Sequence, residues 1–141
     1  MNDTYQLQRF VDAQRTVYAR ALQELNNGHK QSHWIWFIFP QMAGLGRSEM
    51  AERFGISGAA EAQAYLMHPV LGPRLEECAN ALLKHEGRSA LDILGSPDDI
   101  KLRSSMTLFA NIASEHPLFK TVLDRFFDGE EDEKTLFLLG D

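Results

Sequence analysis

The sequence predicts an all-α fold, a compact multihelical single domain over 1–141 with about seven helices and no significant sheet. Three observations carry that expectation. Apolar residues recur at three- and four-residue spacing through most of the chain, and capping residues, glycine and proline separate one stripe from the next. No segment of alternating residues has a second such segment to pair with, and a lone strand would leave its backbone donors and acceptors unsatisfied.

Leu7, Phe10, Val11, Val17, Tyr18, Ala21, Leu22 and Leu25 define one face of a first helix that ends near Gly28. Gln14 and Arg15 interrupt that stripe, leaving open a kink or two shorter helices. The stretch 32–48, SHWIWFIFPQMAGLGRS, holds both tryptophans and is ambiguous by periodicity. Trp, Ile and Phe favour strands, whereas Ser32 suits an N-cap and Pro40 a stop, and without a partner strand a short helix is expected. Gly44 and Gly46 mark a loop, and Ser48 caps a short helix through Phe54 that Gly55 closes.

Ser57 or Gly58 opens the next helix, which His68 and Pro69 should break, because proline disfavours helix in the residue before it. Leu71, Leu75, Cys78, Ala79 and Leu82 form the following stripe, with Pro73 tolerated in its first turn. Cys78 is therefore expected to be a buried, unreactive thiol. Residues 89–94 read as a helical turn closed by Gly95. Ser96, Pro97, Asp98 and Asp99 then form the clearest helix start, with Ser96 as N-cap and Pro97 at the first helical position. That helix runs to about Ala113, with Leu102, Met106, Phe109 and Ala113 on one face and Lys101, Ser104, Ser105 and Leu108 on another. Phe119, Val122, Leu123, Phe126 and Phe127 make a further stripe, and a last short helix covers 135–139.

The bulk properties exclude several classes. A net charge of -6, a pI near 5.3 and no lysine/arginine run argue against a nucleic-acid partner. The longest apolar run, 34–39, is too short for a bilayer, and the N-terminus lacks a basic region followed by an apolar one. The lone Cys78 suits a reducing compartment, so a soluble cytoplasmic protein with no membrane association is expected. No metal or cofactor is expected either. Of the five histidines only His29 and His33 stand four residues apart, in a polar connection after Gly28 and not within one helical stripe, and DGEEDEK at 128–134 lacks the ligand alternation and spaced glycine of an EF-hand, reading as a solvated turn.

Several stretches carry a resemblance: HWIWFIFPQMAGLGRS from His33, FGI from Phe54, EAQAYLMHPVLGPRL from Glu61, ILGSPDDIKLRSSMTLF from Ile93 and TLFLLG from Thr135. Together, and in this order, they resemble the bacterial domain-of-unknown-function 1810 family. The resemblance implies an all-α multihelical fold of about this length and no settled activity. Some members carry the label calpastatin, a disordered protease inhibitor. Capped amphipathic helices argue against that reading for this chain. Phe54 departs from the family, whose members often have tyrosine before the Gly-Ile pair.

Candidate chemistry concentrates in two segments. His33, in the first turn of the aromatic helix, is the candidate catalytic residue for proton transfer, against a plainer role as a capping or partly buried histidine. Trp34 and Trp36 point to different sides of a helix, so one at most should face a ligand. Gln41, Gly44, Gly46, Arg47 and Ser48 form a loop suited to an anion, without the lysine pattern of a P-loop. Lys101 and Ser104 share a helical face with Asp98 one turn earlier, and a surface Lys101 to Asp98 pair is the plainer account. His68 and Arg74 are weaker candidates for the same pocket.

Two function classes follow. In the first, His33, Gln41, Arg47 and Lys101 share a pocket for a small polar or phosphorylated ligand, one form being a hydrolase of nucleotide-like or glycosidic bonds. In the second, the chain is a non-catalytic interaction module that docks a protein partner through an exposed aromatic patch at 33–39.

Overall fold

A computed structural model describes residues 3–140 of the chain. Among them lie ten α-helices: α1 Gln8–Gln14, α2 Tyr18–Asn27, α3 Ile35–Ile38, α4 Glu49–Phe54, α5 Ala59–Met67, α6 Leu71–Leu83, α7 Ala90–Leu94, α8 Asp98–Ile112, α9 Leu118–Phe127 and α10 Glu133–Leu139. The all-α class holds, since the one extended pairing among the described residues is an isolated parallel bridge between Met42 and Ile56. The number of helices exceeds the expected seven or so. Breaks in the apolar stripes end helices outright, and single turns such as α3 and α7 stand as separate elements.

The break between α1 and α2 shows why. Gln14, which interrupts the apolar stripe, is itself buried, and its Nε2 donates to the Phe37 carbonyl at 2.7 Å while its Oε1 accepts from Arg74 at 3.2 Å. A short helix such as α3 leaves its last carbonyls without intrahelical partners, and Gln14 satisfies one of them. The polar residue is thus an internal strut, and α1 stops there.

Two cap assignments differ from expectation. The N-cap of α8 is Pro97, and Ser96 makes no capping bond, so the first-turn carboxylates Asp98 and Asp99 complement the helix dipole instead. The N-cap of α3 is Trp34, because the Ser32 hydroxyl donates to Glu24. Ser48 does cap α4, accepting from Ala51 N at 3.1 Å. Gly55 ends α4 by close approach and not by a left-handed turn: a Cβ there would stand 2.7 Å from the Ala43 Cα, across the Met42–Ile56 bridge.

Helix α8 is the centre of the domain, packing against α3, α5, α7, α9 and α10. It is buried on both sides, since Leu108, Ser104 and Ser105 are covered as well as Leu102, Met106 and Phe109. Rings cross the core in series, from Phe54 to Phe10, Tyr65, Phe109 and Phe119, with neighbouring centroids 5.1–5.7 Å apart. Each fully buried Phe contributes roughly 2–3 kcal/mol by burial, and each ring pair about 1 kcal/mol more. Cys78 has no exposure, and burial pushes its thiol up to about 12, as its place in the α6 stripe predicts. No helix among the described residues is long and apolar enough to cross a membrane.

Candidate functional site

One buried carboxylate sets the entry to α3. Glu24 accepts from the backbone of Gln31 at 2.9 Å and Ser32 at 3.0 Å, from the Ser32 hydroxyl at 2.7 Å and from the Trp34 indole at 2.9 Å. Burial acts to raise its pKa, but these donors outweigh burial and hold the carboxyl pKa at about 2. On the other side, Lys30 donates its backbone N–H to Ile93 and its Nζ lies 2.8 Å from Asp98. The segment 30–34 is therefore clamped between α2 and the start of α8, and α3 leaves it in one orientation.

That orientation separates the two tryptophans. Trp34 is in the core, with one edge in a cavity wall and its N–H committed to Glu24. Trp36 is half-buried, its N–H has no acceptor among the described residues, and the Lys101 ammonium lies 4.5 Å from its ring centroid. Two cavities share Trp36 and Lys101 in their walls and so adjoin there, as the two lobes of a recess.

The smaller lobe, about 310 Å³, is lined by Lys30, His33, Trp34, Ile35, Phe37, Met50 and Asp98 in addition to the shared pair. The larger, about 420 Å³, is lined by Gln41, Leu45, Gly46, Arg47, Ser48, Pro97, Ile100, Ser104, Asp132 and Lys134. Four cations, Lys30, Arg47, Lys101 and Lys134, face two carboxylates, Asp98 and Asp132, in a chain whose net charge is -6. Asp98 is closer to Lys30 than to Lys101, whose Nζ is 3.6 Å away. Arg47 and Lys134 have no ion-pair partner among the described residues. Gln41 is 3% exposed, and its backbone carbonyl accepts from Ile56, but its side-chain Nε2 has no protein partner.

The candidates from the sequence fall out as follows. Lys101 lines both lobes, His33 lines the smaller one from an exposed position, and Gln41, Gly46, Arg47, Ser48 and Ser104 line the larger. Gly46 lets its loop lie against the tryptophan, since a Cβ there would stand 3.2 Å from the Ala51 Cβ and 3.7 Å from the Trp36 ring. Gly44 lines neither lobe. His68 accepts from the backbone of Val70 and Leu71 at the start of α6, and Arg74 reaches Gln14 and stacks over Tyr18, so both are structural.

Sequence reasoning missed Lys30, Met50, Asp132 and Lys134. The stretch 128–134 is not simply a solvated turn: Asp132 caps α10, accepting from Thr135 N at 3.0 Å, and its own N–H donates to Thr107 of α8 at 2.9 Å. The Asp-x-x-Thr spacing at 132–135 was the available cap signal. Among the described residues, no three His, Cys, Asp or Glu side chains come together as a metal site.

A family model described as a protein of unknown function, DUF1810, matches residues 4–139. The chain belongs to the DUF1810 family. It is also similar to the crystal structure of the conserved hypothetical protein Rv1873 from Mycobacterium tuberculosis, with 49% identity, 99% of each chain covered and a TM-score of 0.96. No curated protein matches. In this DUF1810 member, Phe54 sits in the aromatic core between Phe10 and Phe37, apart from the recess.

Proposed function

We propose that this DUF1810 protein binds a small anionic ligand in the recess on either side of Trp36 and Lys101. Gln41 carries the reading. A buried amide donor without an acceptor costs about 1–3 kcal/mol, and this one lies in a wall that also holds Arg47, Lys101 and Lys134. A turn of the Gln41 side chain that brings the buried Nε2 to the cavity surface lets an anionic oxygen accept from it and relieves that cost, and the cations complement the charge. If the bound ligand is also turned over, His33 at the smaller lobe is the proton-transfer group, and hydrolysis of a nucleotide-like or glycosidic bond is the reaction form we assign to it. The interaction-module reading has less support, because Trp34, Ile35, Phe37, Ile38 and Phe39 are buried and leave little of 33–39 to dock a partner.

The test is a thermal-shift screen of small phosphates and carboxylates. A ligand at about one hundred times its Kd stabilises by about 2.7 kcal/mol. Arg47→Ala and Lys101→Ala should abolish the shift while leaving the unliganded Tm within a few degrees. Anion-independent behaviour of all three proteins sinks the proposal.

A further inference from the structure

We infer that the ligand has two parts, a phosphate bound in the larger lobe and a flat heteroaromatic ring in the smaller, the chemical class of a nucleoside monophosphate. The inference rests on the anion-binding reading above and deepens it. The lobes differ in what they have free to offer. In the smaller lobe the cation Lys30 is already taken by Asp98 at 2.8 Å, so the wall there is apolar, Ile35, Phe37 and Met50, with His33 and the Asp98 carboxylate as the polar groups. In the larger lobe Arg47 and Lys134 have no ion-pair partner among the described residues, the carboxylate there, Asp132, lying 3.8 Å from Arg103, and the Gln41 Nε2 is a buried donor without an acceptor. A phosphate therefore belongs in the larger lobe, and an apolar flat group in the smaller.

Lys101 and Trp36 join the two halves. The Lys101 ammonium lies over the indole and 3.6 Å from Asp98, beyond hydrogen-bonding distance, so of the two lysines beside Asp98 it is the one with less to lose by turning to a phosphate. Turning uncovers the face of Trp36, and a ring takes the place of the ammonium on it. A heteroaromatic ring suits the smaller lobe better than a plain aryl group. Its edge N–H and nitrogen atoms can pair with the Asp98 carboxylate and the His33 ring, which a phenyl edge cannot. Neither lobe, at about 310 and 420 Å³, is more than a small pocket, and together they give the space of a two-part ligand.

The experiment is calorimetric titration of the protein with the 5′-ribonucleoside monophosphates, ribose 5-phosphate and inorganic phosphate, alongside Trp fluorescence. At least one monophosphate should bind about tenfold more tightly than ribose 5-phosphate, the advantage expected of base–indole stacking. Trp36→Ala should erase that advantage and leave ribose 5-phosphate binding unchanged, while Arg47→Ala should weaken all three kinds of phosphate by a similar factor. Met50→Glu, which adds charge to the smaller lobe alone, gives the same discrimination if Trp36→Ala does not fold. Ribose 5-phosphate or inorganic phosphate binding as tightly as every monophosphate overturns the two-part ligand and leaves the anion site standing. No binding of any phosphate at millimolar concentration overturns the two-part ligand, and the anion site falls with it if small carboxylates also give no thermal shift.

Discussion

Trp34 and Trp36 stand two residues apart, and they are used in opposite ways. Trp34 is buried, its N–H is bonded to Glu24, and that carboxylate is saturated by donors from the same segment. Trp36 is half-buried beside a lysine that leans on its ring and a carboxylate that another lysine already holds. The first cluster has every polar group matched and acts as a fastener. The second has groups left over, notably the Gln41 amide nearby, and leftover groups in a concave wall are what a ligand can use.

Deleting the fastener should have the largest effect. Glu24→Ala leaves the Trp34 indole and two backbone N–H groups without their acceptor, and the loss should be about 4 kcal/mol in urea unfolding with an unchanged m-value. A loss below about 1 kcal/mol would erase the contrast between the clusters.

Acid titration probes the same carboxylate without mutation. Its folded-state value of about 2 lies below the ordinary 4.5, so its contribution is complete above pH 4.5, declines as pH falls and is gone below about 2. The full contribution is about 3 kcal/mol. In Glu24→Gln that portion of the stability–pH profile should be flat.

The second cluster can be split against itself. Asp98→Asn leaves the largely buried Lys30 without its counter-ion and should cost about 2 kcal/mol, whereas Lys101→Ala, on the same carboxylate, should cost under about 0.5 kcal/mol. Equal losses measured by thermal unfolding would mean that Lys101 is as structural as Lys30 and not free to meet a ligand.

The smallest stability effect is expected at Trp36. Trp36→Phe should change stability by less than about 0.5 kcal/mol, against about 2 kcal/mol for Trp34→Phe, which forfeits a buried hydrogen bond. If the two variants unfold at the same denaturant concentration, the division of labour between the tryptophans does not exist.

Much of the fold was legible because it is local. The stripe of α6 placed Cys78 inside, Ser48 and Gly55 bounded α4, and the His68-Pro69 pair divided α5 from α6, each from a few neighbouring residues. Where a polar residue interrupted a stripe, the reading failed or stayed open. Gln14 could not be known as a strut for α3, because its partners Phe37 and Arg74 lie 23 and 60 positions away.

The site divides along the same line. His33, Gln41, Arg47 and Lys101 stood out as polar groups among apolar or glycine-rich neighbours, whereas helical periodicity did not govern the tryptophans, since Trp34 precedes α3 as its N-cap and both Trp34 and Trp36 line the smaller lobe. Which tryptophan turns inward follows from Glu24, and which lysine Asp98 holds follows from the path of the loop before α3. Lys134 comes to the recess only because Thr107, deep in α8, anchors the start of α10. Helical period and capping are written over spans of a few residues, so a chain read in order reveals them. The convergence of residues 30, 41, 47, 101 and 134 on one recess depends on how separate helices pack, and no local pattern encodes that.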